Sequence, residues 1–320
     1  MLRSLLIYLS EADWLRRLLM DWKIARRVAL RFVAGERLAD AILAVRVLNE
    51  RSMNTTLNLL GEDTDTPKKA QKITQDIIAI LDAIEESGVR SNISIKLTQL
   101  GLKQDENLCS ENLVRILTHA RRLKTFVRID IEDSSCIDAT MRLYWRMRNE
   151  HGFNNVGMVI QSYLYRSDED TKTLLSGDTR IRMVKGAYDE PSEIAYPKKK
   201  DVDKAFDRLV EMMLDTARTE TSPLIGDDGK WPPITAVATH DQARIDYAIA
   251  YSQKTGVPKN KMEFQMLYGI RRETQESLAA EGYPVRIYVP YGAEWFPYFM
   301  RRLAERPANL WFFVSSYFRS

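Results

Sequence analysis

The 320 residues carry 47 Lys and Arg against 44 Asp and Glu, a net charge of +3, too small an excess on a chain of this size to argue for a nucleic-acid partner. With 45% hydrophobic and 28% charged residues, the chain has enough apolar material for a sizeable core. Two cysteines, Cys109 and Cys136, and three scattered histidines, His119, His151 and His240, exclude a disulfide framework and show no metal-ligand spacing, so a reducing compartment and no metal are expected.

The chain opens with "MLRSLLIYLSEADWLRRLLMDWK", whose apolar run is broken early by Ser10, Glu11 and Asp13. It therefore lacks a signal peptide's hydrophobic stretch and cleavage site, and no segment is long enough to span a bilayer. Trp14, Leu15, Leu18, Leu19 and Trp22 fall at helical spacing among Arg16, Arg17 and Lys23, which predicts an amphipathic helix packed on the molecule's own core, with a membrane surface as the alternative. Residues 1–50 read as a helical N-terminal segment, and 51–320 as one catalytic domain.

From about residue 50 short apolar or β-branched runs alternate with turn signals and helical stretches. Eight such runs are predicted as strands: "NTTLNLLGED" at 54–63, "NISIKLTQLG" at 92–101, "FVRIDIEDS" at 126–134, "NVGMVIQSYL" at 155–164, "RIRMVKGAY" at 180–188, "ITAVATHD" at 234–241, "KMEFQMLYG" at 261–269 and "VRIYVPYG" at 285–292. Amphipathic stretches between them, such as 69–87, 111–123 and 273–281, predict helices, and "KKK" at 198–200 reads as a solvated loop. Strands alternating with helices imply an α/β fold with a parallel sheet, and eight units in this length fit a (βα)8 barrel with additional N-terminal helices. A doubly wound open sheet is the alternative, but no G-x-G-x-x-G follows any strand.

Each run ends, on its C-terminal side, in a residue that can do chemistry: Glu62, Lys96, Asp130, Gln161, Lys185, His240, Gln265 and Tyr288. Singly these are ordinary turn or cap residues; in a barrel the ends converge on one mouth, where barrel enzymes place their sites. The last run is followed by "YFMRRLAERP", 298–307, in which Tyr298, Arg301, Arg302 and Glu305 are spaced by threes and fours and so share one helical face. Phe299 and Leu303 lie on the other side, and Pro307 stops the helix. Paired guanidinium groups are a receptor for carboxylate or phosphate. Cations, carboxylates and aromatic rings at one mouth suit a small zwitterion or acid, handled by acid-base, Schiff-base or cofactor chemistry. In the alternative of a pyridoxal-phosphate or Schiff-base barrel acting on an amino acid, Lys96 or Lys185 is the covalent lysine; in a non-enzymatic alternative the arginine pair is an anion receptor only.

"IKLTQLG", "RIDIEDS", "RMVKGAY", "ATHD", "EFQMLYG", "RIYVPYG" and "YFMRRLAERP", in this order across 50–312, resemble the bacterial monofunctional proline dehydrogenases. That resemblance implies a distorted (βα)8 barrel that binds FAD at its mouth and oxidises L-proline to Δ1-pyrroline-5-carboxylate. It implies that Arg301, Arg302 and Lys96 hold the proline carboxylate while Tyr288, Tyr298 and Leu267 pack its ring, with Glu305 holding Arg302. Asp130 is implied to lie beside the substrate and to orient Lys96, Tyr288 or a water. The implied FAD contacts are Gln161, Arg182, Val184, Lys185, Gly186, Ala187, Tyr188, Thr239, His240 and Gln265, with the Arg182 cation beside flavin N5. Glu62 and Arg301 form the implied gate. No general base stands out for the proline nitrogen, which leaves water. Electrons are expected to pass to a membrane quinone, from a cytoplasmic protein peripheral on the inner face of the cell membrane. The N-terminus and the aromatic tail "NLWFFVSSYF" at 309–318 are candidate membrane contacts.

Overall fold

The computed structural model describes residues 30–61 and 63–305. Eight parallel strands, β1 (Asn54–Leu59), β2 (Ser91–Ile95), β3 (Val127–Ile129), β4 (Val156–Gln161), β5 (Ile181–Val184), β6 (Thr235–Ala238), β7 (Met262–Leu267) and β8 (Val285–Tyr291), close into a barrel in sequence order. Closure is made by β8 pairing with β1 in register from Asn54↔Arg286 to Leu59↔Tyr291. The expected (βα)8 barrel is the fold observed.

Helix α1 (Leu38–Glu50) precedes β1. The helices that follow the strands are α2 (Pro67–Ser87), α3 (Glu106–Arg122), α4 (Ser134–Asn149), α5 (Ser167–Ser176), α6 (Lys199–Ala217), α7 (Gln242–Thr255), α8 (Arg272–Ala280) and α9 (Trp295–Glu305). Local chemistry sets their ends. Thr66 caps α2 by accepting from Lys69 N, with Pro67 in the first turn, where its missing N–H costs nothing, and Gly88 at φ +66° ends it. Asp105, Asp133 and Asp241 cap α3, α4 and α7 through their side chains. The "KKK" run departs from expectation: Lys198 stands just before α6, with no side-chain capping bond, and Lys199 begins the helix, because the acidic residues Asp201 and Asp203 favour a helix start there.

The apolar core lies between the strands and the helix ring. Strands β2 and β4 are buried along their whole length, as parallel strands covered on both faces require. Helix α1 packs Ala41, Val45 and Leu48 inward, against β1 and β8. The barrel lumen differs from the usual branched aliphatic filling: Thr56, Ser94, Arg128, Arg182, Glu263, Gln265 and Arg286 are all buried, and side-chain hydrogen bonds tie all of them but Arg128 together across the strands.

Helix α9 does not join the outer ring. Phe296 and Phe299 are fully buried, Trp295 donates from Nε1 to Glu36 Oε1 at 3.3 Å, and the Phe299 ring centroid is 6.3 Å from that of Phe32. This aromatic anchor lays the helix across the C-terminal mouth.

Candidate active site

Beneath α9 opens a cavity of about 1180 Å³ at the C-terminal ends of the strands. It is lined by Lys96, Asp130, Gln161, Arg182, Val184, Lys185, Gly186, Ala187, Tyr188, Thr239, His240, Gln265, Leu267, Tyr288, Tyr298 and Arg302. The sequence reading therefore converges on one place. Glu62, the side chains of Arg301 and Glu305, the N-terminal amphipathic stretch and the 309–318 tail lie outside the described residues. Two positions sit differently from expectation: Gln265 and Tyr288 are inside β7 and β8 rather than at their ends, with side chains reaching up from the lumen wall.

The centre of the site is Arg182, 5% exposed on β5. It donates from Nε to Gln265 Oε1 at 2.5 Å, from Nη1 to Asp130 Oδ1 at 2.6 Å and from Nη2 to Ser94 Oγ at 2.9 Å. Its guanidinium carbon also lies 5.3 Å from the Tyr288 ring centroid. Side chains from β2, from β7 and from the exit of β3 thus fix a cation in the cavity wall. The partner of Asp130, left open by the sequence among Lys96, Tyr288 and water, is Tyr288, whose hydroxyl donates to Oδ2 at 2.8 Å, together with Arg182. Burial and the Asp130 carboxylate raise the Tyr288 pKa, so the phenol stays neutral and remains the donor.

On the β5–β6 side, Lys185 Nζ sits 2.5 Å from Asp203 Oδ1 and 2.6 Å from Asp241 Oδ2, while Lys199 bonds the same two carboxylates. Burial works against ionising Asp203 and Asp241, but the two ammonium groups hold both below the ordinary carboxylate range. Lys185 is thus engaged by two carboxylates at once. His240 accepts the Leu267 N–H at Nε2, 3.0 Å, which assigns its proton to Nδ1 and ties the β6 exit to the end of β7.

On the opposite side Glu132 accepts from Thr98 N at 3.1 Å and Thr98 Oγ1 at 2.7 Å, 5% exposed within the cavity wall that holds Lys96. Burial pushes its carboxyl up against the pull of Lys96. Sequence reading missed Glu132, Ser94, Asp203 and Asp241, and also Glu263 and Arg286 beneath the site. A signal for the last two existed. Glu263 stands two residues before Gln265, and Arg286 two before Tyr288, a spacing that puts each pair on one face of its strand.

From α9, Tyr298 and Arg302 face the cavity, so the polar side of the helix is the inward one. The Arg302 guanidinium carbon stands 5.2 Å from the Tyr298 ring centroid.

Residues 41–314 match the family model described as proline dehydrogenase. Among curated proteins the chain is 42% identical over 296 residues to a proline dehydrogenase of Deinococcus radiodurans, covering 92% of this chain and 89% of that one. It is 36% identical over 310 residues to proline dehydrogenase 2 of Bacillus subtilis, covering 97% and 96%. Its fold matches the crystal structure of proline utilization A from Bdellovibrio bacteriovorus inactivated by N-propargylglycine, with a TM-score of 0.78 at 24% identity, over 88% of this chain and 33% of the larger one. The extent of these matches, on a barrel whose mouth gathers the residues described above, shows that the chain belongs to the proline dehydrogenase family.

Proposed function

We propose that the protein oxidises L-proline to Δ1-pyrroline-5-carboxylate, the first step of proline catabolism, with FAD as cofactor and a membrane quinone as final electron acceptor. The observation that carries this reading is that cations from three separate elements, Lys96 after β2, Arg182 on β5 and Arg302 on α9, line one cavity. A zwitterionic amino acid and an electron-accepting ring both need such charges, at different places.

The wall from β4 to β7 fits a flavin nucleotide. Gln161 is 4% exposed in this wall, and its Oε1 has no hydrogen-bond partner among the described residues, which leaves a buried acceptor for a donor on a ligand. The chain leaving β5 runs along the wall from Val184 to Tyr188. Only glycine suits position 186, where φ is +118° and a Cβ would stand 2.3 Å from the Tyr163 ring. The cavity also exceeds the roughly 300–1,000 Å³ of an ordinary small-ligand pocket, leaving space for an amino acid beside a dinucleotide. When bound, FAD supplies the acceptor for the hydride leaving proline C5.

The protein's own part is binding, orientation and charge. Arg302 and Arg301, with Lys96, grip the proline carboxylate, and Leu267, Tyr288 and Tyr298 pack the ring, so that gripping one end fixes the position of C5. Asp130 holds Tyr288 and Arg182 in place, and the fixed Arg182 cation stabilises negative charge that develops nearby. The proton on the proline nitrogen leaves to water. Glu62, between the cavity-lining Gly61 and Asp63, pairs with Arg301 to close the mouth and exclude water. Among the described residues no helix is long and apolar enough to cross a membrane, so contact with a quinone is assigned to the N-terminal stretch and the 309–318 tail, on the cytoplasmic face.

The test is a visible absorption spectrum of the purified protein before and after anaerobic addition of L-proline. A flavin spectrum that bleaches is expected. A colourless protein that still shows no proline-dependent bleaching after FAD is added would overturn the proposal.

A further inference from the structure

Below the cavity, the polar chain that begins at Arg182 continues through the barrel. Gln265 accepts from Arg182 at Oε1 and donates from Nε2 to Glu263 Oε1. Glu263 in turn accepts from Arg286 Nε at 3.0 and 3.2 Å. Arg286 ends the chain on the backbone, donating from Nη1 to Thr55 O at 2.9 Å and from Nη2 to Gly229 O at 2.8 Å. Glu263 is 0% and Arg286 1% exposed. Neither touches the cavity, and the chemistry proposed above does not use them.

The position of Gln265 in this chain matters because a primary amide has two faces. Turned one way it offers an oxygen to the Arg182 guanidinium; turned the other way it offers an NH2 group, which a cation cannot accept. Nothing in the amide itself chooses. Glu263 chooses, because both of its oxygens accept from Arg286 Nε, and a carboxylate that only accepts must receive the Nε2–H. Strand register makes the arrangement possible: Glu263 and Gln265 are two apart on β7, and Gln265 is the lateral partner of Arg286 on β8, so all three side chains enter the lumen together.

We propose that Glu263 and Arg286 are positioning residues: they lock the Gln265 amide with its oxygen toward Arg182, and so set the direction of the guanidinium that faces the bound ligand. The proposal rests on the reading of Arg182 as the cation beside the flavin. The alternative is that the pair merely fills the barrel.

The two are separated by the double variant Glu263→Met/Arg286→Met in the holoenzyme. Replacing a buried pair by apolar side chains of similar volume tends to leave stability unharmed, whereas removing one partner does not. The expected result is a Tm near that of the wild type, an unchanged calorimetric affinity for cyclopentanecarboxylate, which reports the carboxylate grip, and an unchanged KM. With these, kcat falls on the order of ten- to a hundredfold, as for outer partners of other catalytic groups, and the flavin midpoint potential moves to more negative values. Wild-type kcat and potential in a stable double variant would overturn the proposal. Should the double variant fail to fold, Gln265→Leu keeps the Glu263–Arg286 pair intact, and the same loss of kcat and negative shift are expected; an unchanged potential there would equally overturn it. An unmutated protein that neither holds flavin nor oxidises proline defeats the functional reading instead, and the two failures are told apart by that control.

Discussion

Two of the arginines buried in the barrel lumen, Arg182 and Arg128, are held in opposite ways. Arg182 is bonded to side chains, Asp130, Gln265 and Ser94, and borders the cavity. Arg128, 1% exposed, has backbone partners: its Nη1 donates to Met158 O at 3.0 Å and to Arg180 O, its Nη2 has no hydrogen-bond partner among the described residues, and its guanidinium carbon lies 4.9 Å from the Phe126 ring centroid. Burial, with Arg182 nearby, lowers its pKa well below the usual value. A cation fixed by backbone is part of the frame. A cation fixed by a carboxylate and an amide, on the edge of a cavity, has its direction set by replaceable groups and can serve a ligand.

The comparison breaks most directly at Arg182. Arg182→Met should reduce kcat/KM for proline by roughly two to three orders of magnitude, the cost of losing a preorganised charge-stabilising group. Steady-state kinetics on flavin-matched samples measures it, and a loss of less than tenfold would place Arg182 on the same structural footing as Arg128.

The frame side is tested at Gly157, the lateral partner of Arg128 on β4. A Cβ there would stand 2.4 Å from Arg180 O, 2.6 Å from the Phe126 ring and 2.8 Å from Arg128 Nη1. Backbone cannot yield as a flexible side chain can, so Gly157→Ala should cost about 1–3 kcal/mol of stability. Activity per folded molecule should stay within a factor of about two, since Arg128 shares no hydrogen bond with the Arg182 set. A normal denaturation midpoint with impaired kcat would reverse both assignments.

The smallest effect concerns a third way of holding charge, at the α6–α7 contact. Burial raises the Asp207 pKa to about 6, with Arg244 opposing and Asp203 and Glu211 adding to it. Arg244 Nε is 2.7 Å away but aligned for no hydrogen bond. Because the folded-state pKa lies above the unfolded one, the folded protein binds the extra proton between about pH 4 and 6. Ionised Asp207 therefore penalises the fold above pH 6. Asp207→Asn should raise Tm at pH 7–8, by an effect under about 1 kcal/mol in this partly solvated setting, and the gain should vanish near pH 4. A gain that is the same at both pH values would show that proton binding is not its source.

The barrel was legible because it is written in local signals: periodicity gave all eight strands, whereas the helix starts at Thr66, Asp133 and Asp241 emerge only from the fold. The mouth was legible because strand ends converge in any such barrel. What periodicity could not supply is partner choice. Lys185 is separated from Asp241 by 56 residues and Arg182 from Gln265 by 83, and only three-dimensional register brings them together. Nor does composition show a polar lumen. Arg286 and Glu263 look like surface residues in the sequence, yet both are closed off from solvent, because an ion pair with its remaining protons on carbonyls can replace aliphatic filling.

The anchoring of α9 carries a consequence for how the protein is made. Trp295 reaches back 259 residues to Glu36, and Phe299 packs on Phe32, so the helix that roofs the mouth is docked by the earliest part of the described chain. During synthesis the strands emerge one after another and can begin to pair, but the roof must wait until all eight strands and α9 after them have left the ribosome. The entropy of closing so long a loop grows only slowly with its length, so the delay is kinetic rather than thermodynamic. Until that docking occurs a nascent barrel holds an open, charged crater. Its ability to recognise a ligand is thus acquired only after the barrel's strands are in place, and Trp295 and Phe299 set when that happens.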